Sequence, residues 1–274
     1  MKNHRTYVSL LLSLSVPGIF GFPIWPDSSH AEPTLVAQFT KHPAPDHLDM
    51  APHWDYLGVE GPAHWGLLTP EYMTCETGRQ QSPINITMAQ HNDHPEELTF
   101  QYQTSELHQL NKGHTIQVSH ASGCRVDLNH QPYKLRQFHF HEPSEHHIDG
   151  KAYPMEMHLV HQDTRGHTLV IAVMMAVGRD EPVFDKLWKW LPDQVGRDVP
   201  VPVDIRLGDL LPTDTHHFSY SGSLTTPPCT EGVRWIVLEN PMSIAQADID
   251  QFVRIIGHNA RPIQPAHRRS IEEN

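Results

Sequence analysis

No stripe of lysine and arginine runs through this sequence: 20 basic residues stand against 32 acidic ones, for a formal charge of −12. That balance excludes nucleic acid as a partner on electrostatic grounds. Cysteine is scarce too. Three thiols, Cys75, Cys124 and Cys229, allow one disulfide and leave one over, and spacing alone does not choose among the three pairings. No cysteine lies in the leader region, which excludes a lipid-modified N-terminal cysteine. Internal repeats are absent and helical periodicity is rare. What remains, 38% hydrophobic and 19% charged, is the composition of a soluble globular protein long enough to bury a substantial core.

The first residues stand apart. Lys2 and Arg5 precede the apolar run YVSLLLSLSVPGIFGFPIW, and small residues follow at Ser29 and Ala31. This is the pattern of a secretory signal peptide over residues 1–31, with cleavage after Ala31 or Ala37. Pro17, Gly18, Gly21 and Pro23 interrupt the run, so no stable membrane span is expected once the signal is removed. The destination is extracytoplasmic, periplasm or secreted, where a disulfide persists. Residues 32–52, rich in Pro and His, read as a flexible arm. Residues 53–270 read as one folded domain and residues 271–274 as a C-terminal tail.

Within the domain, short alternating runs dominate. HTIQVSH (114–120) puts Thr115, Gln117 and Ser119 on one face and His114, Ile116 and Val118 on the other. ELTFQYQ, CRVDLNH, TLVIAVMMAV and RWIVLE are likewise β-branched or aromatic runs bounded by turn residues. Two segments, 183–191 and 243–256, have a helical pattern; Ser243 offers an N-cap with Gln246 three residues on, and Gly257 a stop. The fold class is mainly β (α+β), mostly antiparallel, in a single domain with a few short helices.

One stretch, QFHFHEPSEHHIDGKAYPMEMHLVH (137–161), holds six histidines. On a strand, alternate residues share a face, so Gln137, His139 and His141 point one way while Phe138 and Phe140 point the other. The same parity groups Glu156, His158 and Val160. If the two strands are antiparallel neighbours, His158 meets His139 and His141 across the ladder. Three neutral imidazoles leave the fourth position of a tetrahedral zinc open, as in catalytic sites, although such a set also suits copper, iron or nickel. Gln137 and Glu156 each sit two residues before a histidine on its own face, placed to fix that ring's tautomer. His146, His147 and His161 are read as structural or exposed. Far downstream, Thr225 and Thr226 precede two prolines in SGSLTTPPCTEGVRWIVL, which on composition alone is a turn.

Taken together, WDYLGVEGPAHWGLL, RQQSPINI, NKGHTIQV, QFHFHEPSEH, YPMEMHLVH, SGSLTTPPCTEGVRWIVL and NARPIQP run in order from Trp54 to Pro265. In that order they resemble the alpha-class carbonic anhydrases, particularly the exported bacterial kind. The resemblance implies a central, twisted, largely antiparallel sheet with one zinc ion per chain in a cone-shaped cleft. It makes residues 53–270 the catalytic domain. The implied reaction is the reversible hydration of carbon dioxide to bicarbonate and a proton through a zinc-bound hydroxide. By position, it assigns His139, His141 and His158 as zinc ligands, with Gln137 and Glu156 behind them. Thr225 is implied to accept a hydrogen bond from that hydroxide while donating its own to Glu145. Thr226 and the Thr225 N–H are implied to line the substrate site, with Val160, Val170, Leu224 and Trp235 as the apolar wall for carbon dioxide. His114 occupies the proton-shuttle position, and Tyr56 and Asn111 the outward water network. Cys75 and Cys229 match the disulfide of exported members; Cys124 has no counterpart.

Lys112 departs from the pattern, standing where asparagine is common, and a cation there is expected to lower the pKa of His114. Two rival readings follow from the same residues. Zinc-free relatives bind without catalysing, but here all three ligand positions are histidine. A cupin-like metal site also fits H-x-H-x3-E at His139, His141 and Glu145. It needs a glycine six residues before the first histidine, where Tyr133 stands instead.

Overall fold

The computed structural model describes residues 53–121, 123–179 and 181–274. The signal peptide and arm read from the sequence lie outside the described residues.

Eight long strands carry the alternating runs: β1 (Thr104–Asn111), β2 (Ile116–His120), β3 (Gln131–His141), β4 (Met155–Gln162), β5 (Thr168–Val177), β6 (Asp198–Arg206), β7 (His217–Ser223) and β8 (Glu231–Ile244). They lie in the order β6-β1-β2-β3-β4-β5-β8-β7 within a twelve-stranded sheet. Each neighbouring pair of long strands is antiparallel except β5 with β8, which is parallel. A parallel pair cannot close with a tight turn, and the chain between these two runs through a helix, β6 and β7. Leu98–Gln101 and Arg125–Leu128 pair off the main path. Asn129 and His130, both at positive φ, form the two-residue turn from Arg125–Leu128 into β3, a hairpin geometry that matches the sheet's twist.

The side-chain period of two divides the core between the sheet's faces. Phe138, Phe140, Met157, Leu159, Ile171, Val173, Ile236 and Leu238 point to one face. There α1 (Pro182–Trp188) and α2 (Gln246–Ile255) cover them with Phe184, Leu187, Trp188, Ile249 and Phe252. The intervening residues, Val170, Ala172, Met174, Trp235 and Val237, face the other way and pack with Ile84, Ile86, Phe218 and Tyr220. His139, His141 and His158 therefore lie on the face away from the two helices.

Two expectations are corrected. Ser243 does not cap α2, because β8 continues through Ile244, where Ala176↔Ser243 and Val177↔Ile244 extend the ladder with β5. Ala245 takes the cap position without a side-chain bond, while Gly257, at φ +85°, ends the helix region as expected. Nor are residues 271–274 a free tail. Glu272–Glu273 pairs with both β7 and Gln90–His91, Ile271 is buried, and the Asn274 and His217 backbones exchange hydrogen bonds.

Cys75 and Cys229 are bonded, with Cα atoms 5.0 Å apart across a separation of 154 residues. In the chain-entropy model a loop of that length is stabilised by ~4–5 kcal/mol. Cys124 is free and buried.

Candidate active site

Strands β3 and β4 pair in the register that strand parity required, with His139 directly opposite His158 and His141 opposite Glu156. Each ring spends one nitrogen on a hydrogen bond and turns the other inward. His139 Nδ1 is 2.8 Å from Gln137 Oε1, His141 Nδ1 is 2.8 Å from the Asn259 carbonyl, and His158 Nε2 is 2.7 Å from Glu156 Oε1. The acceptors fix the tautomers, leaving lone pairs on His139 Nε2, His141 Nε2 and His158 Nδ1. Ligand atoms of the three residues lie within 4.8 Å of one another. His141 Nε2 is buried with no hydrogen-bond partner, as fits a nitrogen turned toward a metal position. Burial holds the pKa of His139 well below the usual imidazole value and lowers that of His141, so both offer lone pairs at neutral pH. Three converging imidazole nitrogens without a thiolate suit zinc.

Glu145 sits beside them, 1% exposed. Its Oε1 accepts the Arg261 backbone N–H at 2.8 Å, and its Oε2 lies 3.6 Å from His141 Nε2 and 3.9 Å from His158 Nδ1. Oε2 has no hydrogen-bond partner, so the bond expected from Thr225 is not formed and its acceptor is open. Thr225 is buried and Thr226 half-buried, in a loop closed by Leu224 N–H to Thr230 O and Cys229 N–H to Thr226 O, both 2.9 Å. Val170 and Trp235 are buried in the site-side core, with Val160 and Leu224 packed against it. The Trp235 ring lies 4.9 Å from that of His158.

His114 rests against Trp54, ring centroids 4.1 Å apart, in an aromatic group with Tyr56 and Trp65. Burial, reinforced by the charge of Lys112, lowers its pKa to about 4. The expected effect of Lys112 has the right sign, but burial is the larger cause. Burial and then the charge of Glu145 push the Tyr56 phenol well above its usual value, so Tyr56 stays a neutral donor near the site. Asn111 is buried; its side-chain N–H donates to Pro192 O at 3.0 Å and its side-chain oxygen accepts from Gly113 N–H at 2.8 Å, which holds the turn before His114.

Three contributors were not singled out from the sequence. Asn259 accepts His141 Nδ1–H and donates to both His114 O and Phe140 O, tying β3 to the segment that carries His114. Arg261 holds Glu145 through its backbone. Its guanidinium, 2% exposed, donates to Gln81 Oε1, Ser82 O and Cys75 O. His146, read as structural or exposed, is fully buried and bonded to Glu156. NARPIQP was the only trace of the first two. Their partners lie more than 100 residues away, beyond the reach of any local pattern.

His161 is indeed structural. It is buried, with Nε2 2.5 Å from the Tyr102 hydroxyl, and burial lowers its pKa to about 3. An unfolded histidine titrates near 6.5, so between about 6.5 and 3 the unfolded chain binds a proton that the folded chain refuses. His114 and His141 act in the same direction. Stability is therefore expected to be fully present above pH 7 and to fall as pH drops through 6. Thermal unfolding at pH 7.5, 6 and 5 checks this, and an unchanged midpoint would contradict it.

The geometry defines a class before a family: a β-sheet protein with a three-histidine group that could hold a metal ion, on the sheet face away from α1 and α2. The comparisons refine this. The family model for eukaryotic-type carbonic anhydrase matches residues 60–274. The carbonic anhydrase of Pectobacterium atrosepticum is 44% identical over 221 residues, covering 80% of this chain and 90% of that protein. That of Nostoc sp. is 39% identical over 226 residues, covering 81% and 86%. Among solved structures, the alpha-carbonic anhydrase of Thermovibrio ammonificans, in complex with the inhibitor sulfanilamide, superposes with a TM-score of 0.76 at 38% identity. It covers 81% of this chain and all of that one. The chain belongs to the alpha carbonic anhydrase family, enzymes of the lyase class.

Proposed function

We propose that this chain holds one zinc ion through His139 Nε2, His141 Nε2 and His158 Nδ1 and catalyses the reversible hydration of carbon dioxide to bicarbonate and a proton. The observation that carries the reading is the three inward nitrogens left over once every other ring nitrogen has its acceptor. Zinc bound there supplies a Lewis acid that makes water a nucleophile near neutral pH, a behaviour for which carbonic anhydrases are the standard example. Glu145 offers an open carboxylate oxygen to the Thr225 hydroxyl. An ionised carboxylate only accepts, so Thr225 donates to it and presents its own oxygen as an acceptor to the attacking group. Val160, Val170, Leu224 and Trp235 hold an uncharged substrate that needs no ion pair, while Thr226 and the Thr225 N–H face the anionic product.

His114 takes the released proton outward, helped by Tyr56. With a pKa near 4 it is a weak base at pH 7, so dissolved buffer should carry much of the proton traffic. His114→Ala is expected to retain zinc, slow turnover several-fold and recover in part with added imidazole. Lys112→Asn should raise turnover at low buffer concentration. If imidazole restores nothing to His114→Ala, the shuttle assignment is wrong.

Residues 1–31 direct export to the periplasm or medium. The Cys75–Cys229 bond supports an oxidising destination. Among the described residues no helix is long and apolar enough to cross a membrane. Zinc content and carbon dioxide hydration of the purified protein test the whole reading. Stoichiometric zinc without hydration would favour a binding module that has lost catalysis.

A further inference from the structure

The motif RQQSPINI has no part in the proposed reaction, yet it grips the loop that carries Thr225 and Thr226. That loop leaves β7 at Ser223 and enters β8 at Glu231. Near its far end, the Gln81 amide donates to Cys229 O at 3.0 Å and to Glu231 Oε1 at 3.1 Å. The same carboxylate oxygen accepts the Gln80 N–H at 2.6 Å. Gln81 is itself held, 4% exposed, by Arg261 Nη1, which donates to its Oε1 at 2.9 Å.

Gly78 shows how closely the carboxylate is seated. A Cβ there would lie 2.4 Å from Gln81 Nε2, 2.5 Å from Glu231 Oε1 and 2.6 Å from Thr74 O, so a side chain would push the clip apart. Burial alone would raise the Glu231 pKa. The Gln80 N–H, the Gln81 amide and the Arg79 N–H outweigh it and hold the carboxyl below its usual value. Hydrogen bonds to an ionised carboxylate are about twice as strong as neutral ones. Glu231 is nonetheless only half-buried, whereas Thr225 is buried. Inside the loop, Leu224 N–H to Thr230 O and Cys229 N–H to Thr226 O, both 2.9 Å, link the clipped end to Thr225.

We propose that Glu231 is a positioning residue for Thr225: clipped to the turn at residues 78–81, it sets where the Thr225 hydroxyl stands relative to Glu145 and the three histidines. The inference rests on the role given to Thr225 under the proposed function. It separates two anchors of one loop, since the Cys75–Cys229 bond ties the chain at Cys229 and the clip ties it two residues further on.

The test measures kcat/KM for carbon dioxide hydration beside zinc content and melting temperature. Glu231→Ala is expected to keep stoichiometric zinc and to lower kcat/KM about tenfold, less than the roughly 100-fold cost of a misplacement near 1 Å. Glu231→Gln keeps an acceptor for the Gln80 N–H and should stay within about twofold of wild type. In a Thr225→Val chain, Glu231→Ala should cost little more, because the hydroxyl it positions is gone. In a His114→Ala chain the tenfold loss should persist in full. Ile249→Val, which trims the core under α2, is the control; it should lower the melting temperature and leave kcat/KM unchanged. If Glu231→Ala does not fold, Glu231→Asp, one methylene too short for the clip, decides with a loss of a few-fold. Wild-type kcat/KM in the deciding variant, a full loss in the Thr225→Val chain, or activity that follows melting temperature down to Ile249→Val would overturn the proposal. Thr225→Val at the wild-type rate would instead refute the role of Thr225 itself.

Discussion

His141→Ala is expected to lose the metal and nearly all carbon dioxide hydration, the largest effect of any single change. His141 is 1% exposed, and its Nε2 is the one of the three inward ring nitrogens left buried and unpartnered. Removing it leaves two donors, too few for the three-nitrogen set that catalytic zinc requires. It also strips the Asn259 carbonyl of its partner. Hydration should fall by more than about 100-fold, beyond the usual cost of losing an outer partner alone. Elemental analysis should find less than stoichiometric zinc, while circular dichroism should retain the β-sheet signature, because His141 lies at the end of β3. Full zinc content in this variant would remove His141 from the ligand set.

Thr225→Val should give the second largest effect, of a different kind. Valine keeps the shape and removes only the hydroxyl, so zinc is retained while kcat/KM falls by about 100-fold, the usual scale for a lost orienting contact. Glu145→Gln is expected to act in the same direction, because an amide can donate and no longer dictates which way Thr225 points. If the two residues work through one bond, the double variant loses little more than either single one. Additive losses would separate Thr225 from Glu145 and return Glu145 to a structural role beside Arg261. The open Glu145 Oε2, buried and within 4 Å of two inward ring nitrogens, is the structural reason to expect coupling.

Strand parity made the centre of the site legible. Phe138 and Phe140 pack under the helices while His139 and His141 face away, and this follows from the period of two alone. The register of His139 against His158 then needed only the assumption that β3 and β4 are neighbours. Gln137 and Glu156 were legible for the same reason, each lying two residues from its ring. Contacts closed by the tertiary fold were not. Asn259 reaches His141 across 118 residues, Arg261 reaches Glu145 across 116, and Tyr220 reaches His146 across 74. No periodicity carries such distances.

Local rules also failed where a stronger ladder competed. Ser243 has the chemistry of a cap, yet pairing with β5 keeps it in strand β8. Residues 271–274 have the polarity of a tail, but Ile271 anchors them and the edge of β7 offers free backbone groups.

The most direct test of zinc-dependent hydration at His139, His141 and His158 is a stopped-flow assay on one preparation in three states: as purified, stripped by chelator, and restored with one equivalent of zinc. Activity should vanish on stripping and return in full with a single equivalent, with a rate that rises from pH 6 to 8. Hydration that survives stripping, or stoichiometric zinc that restores none, would contradict it.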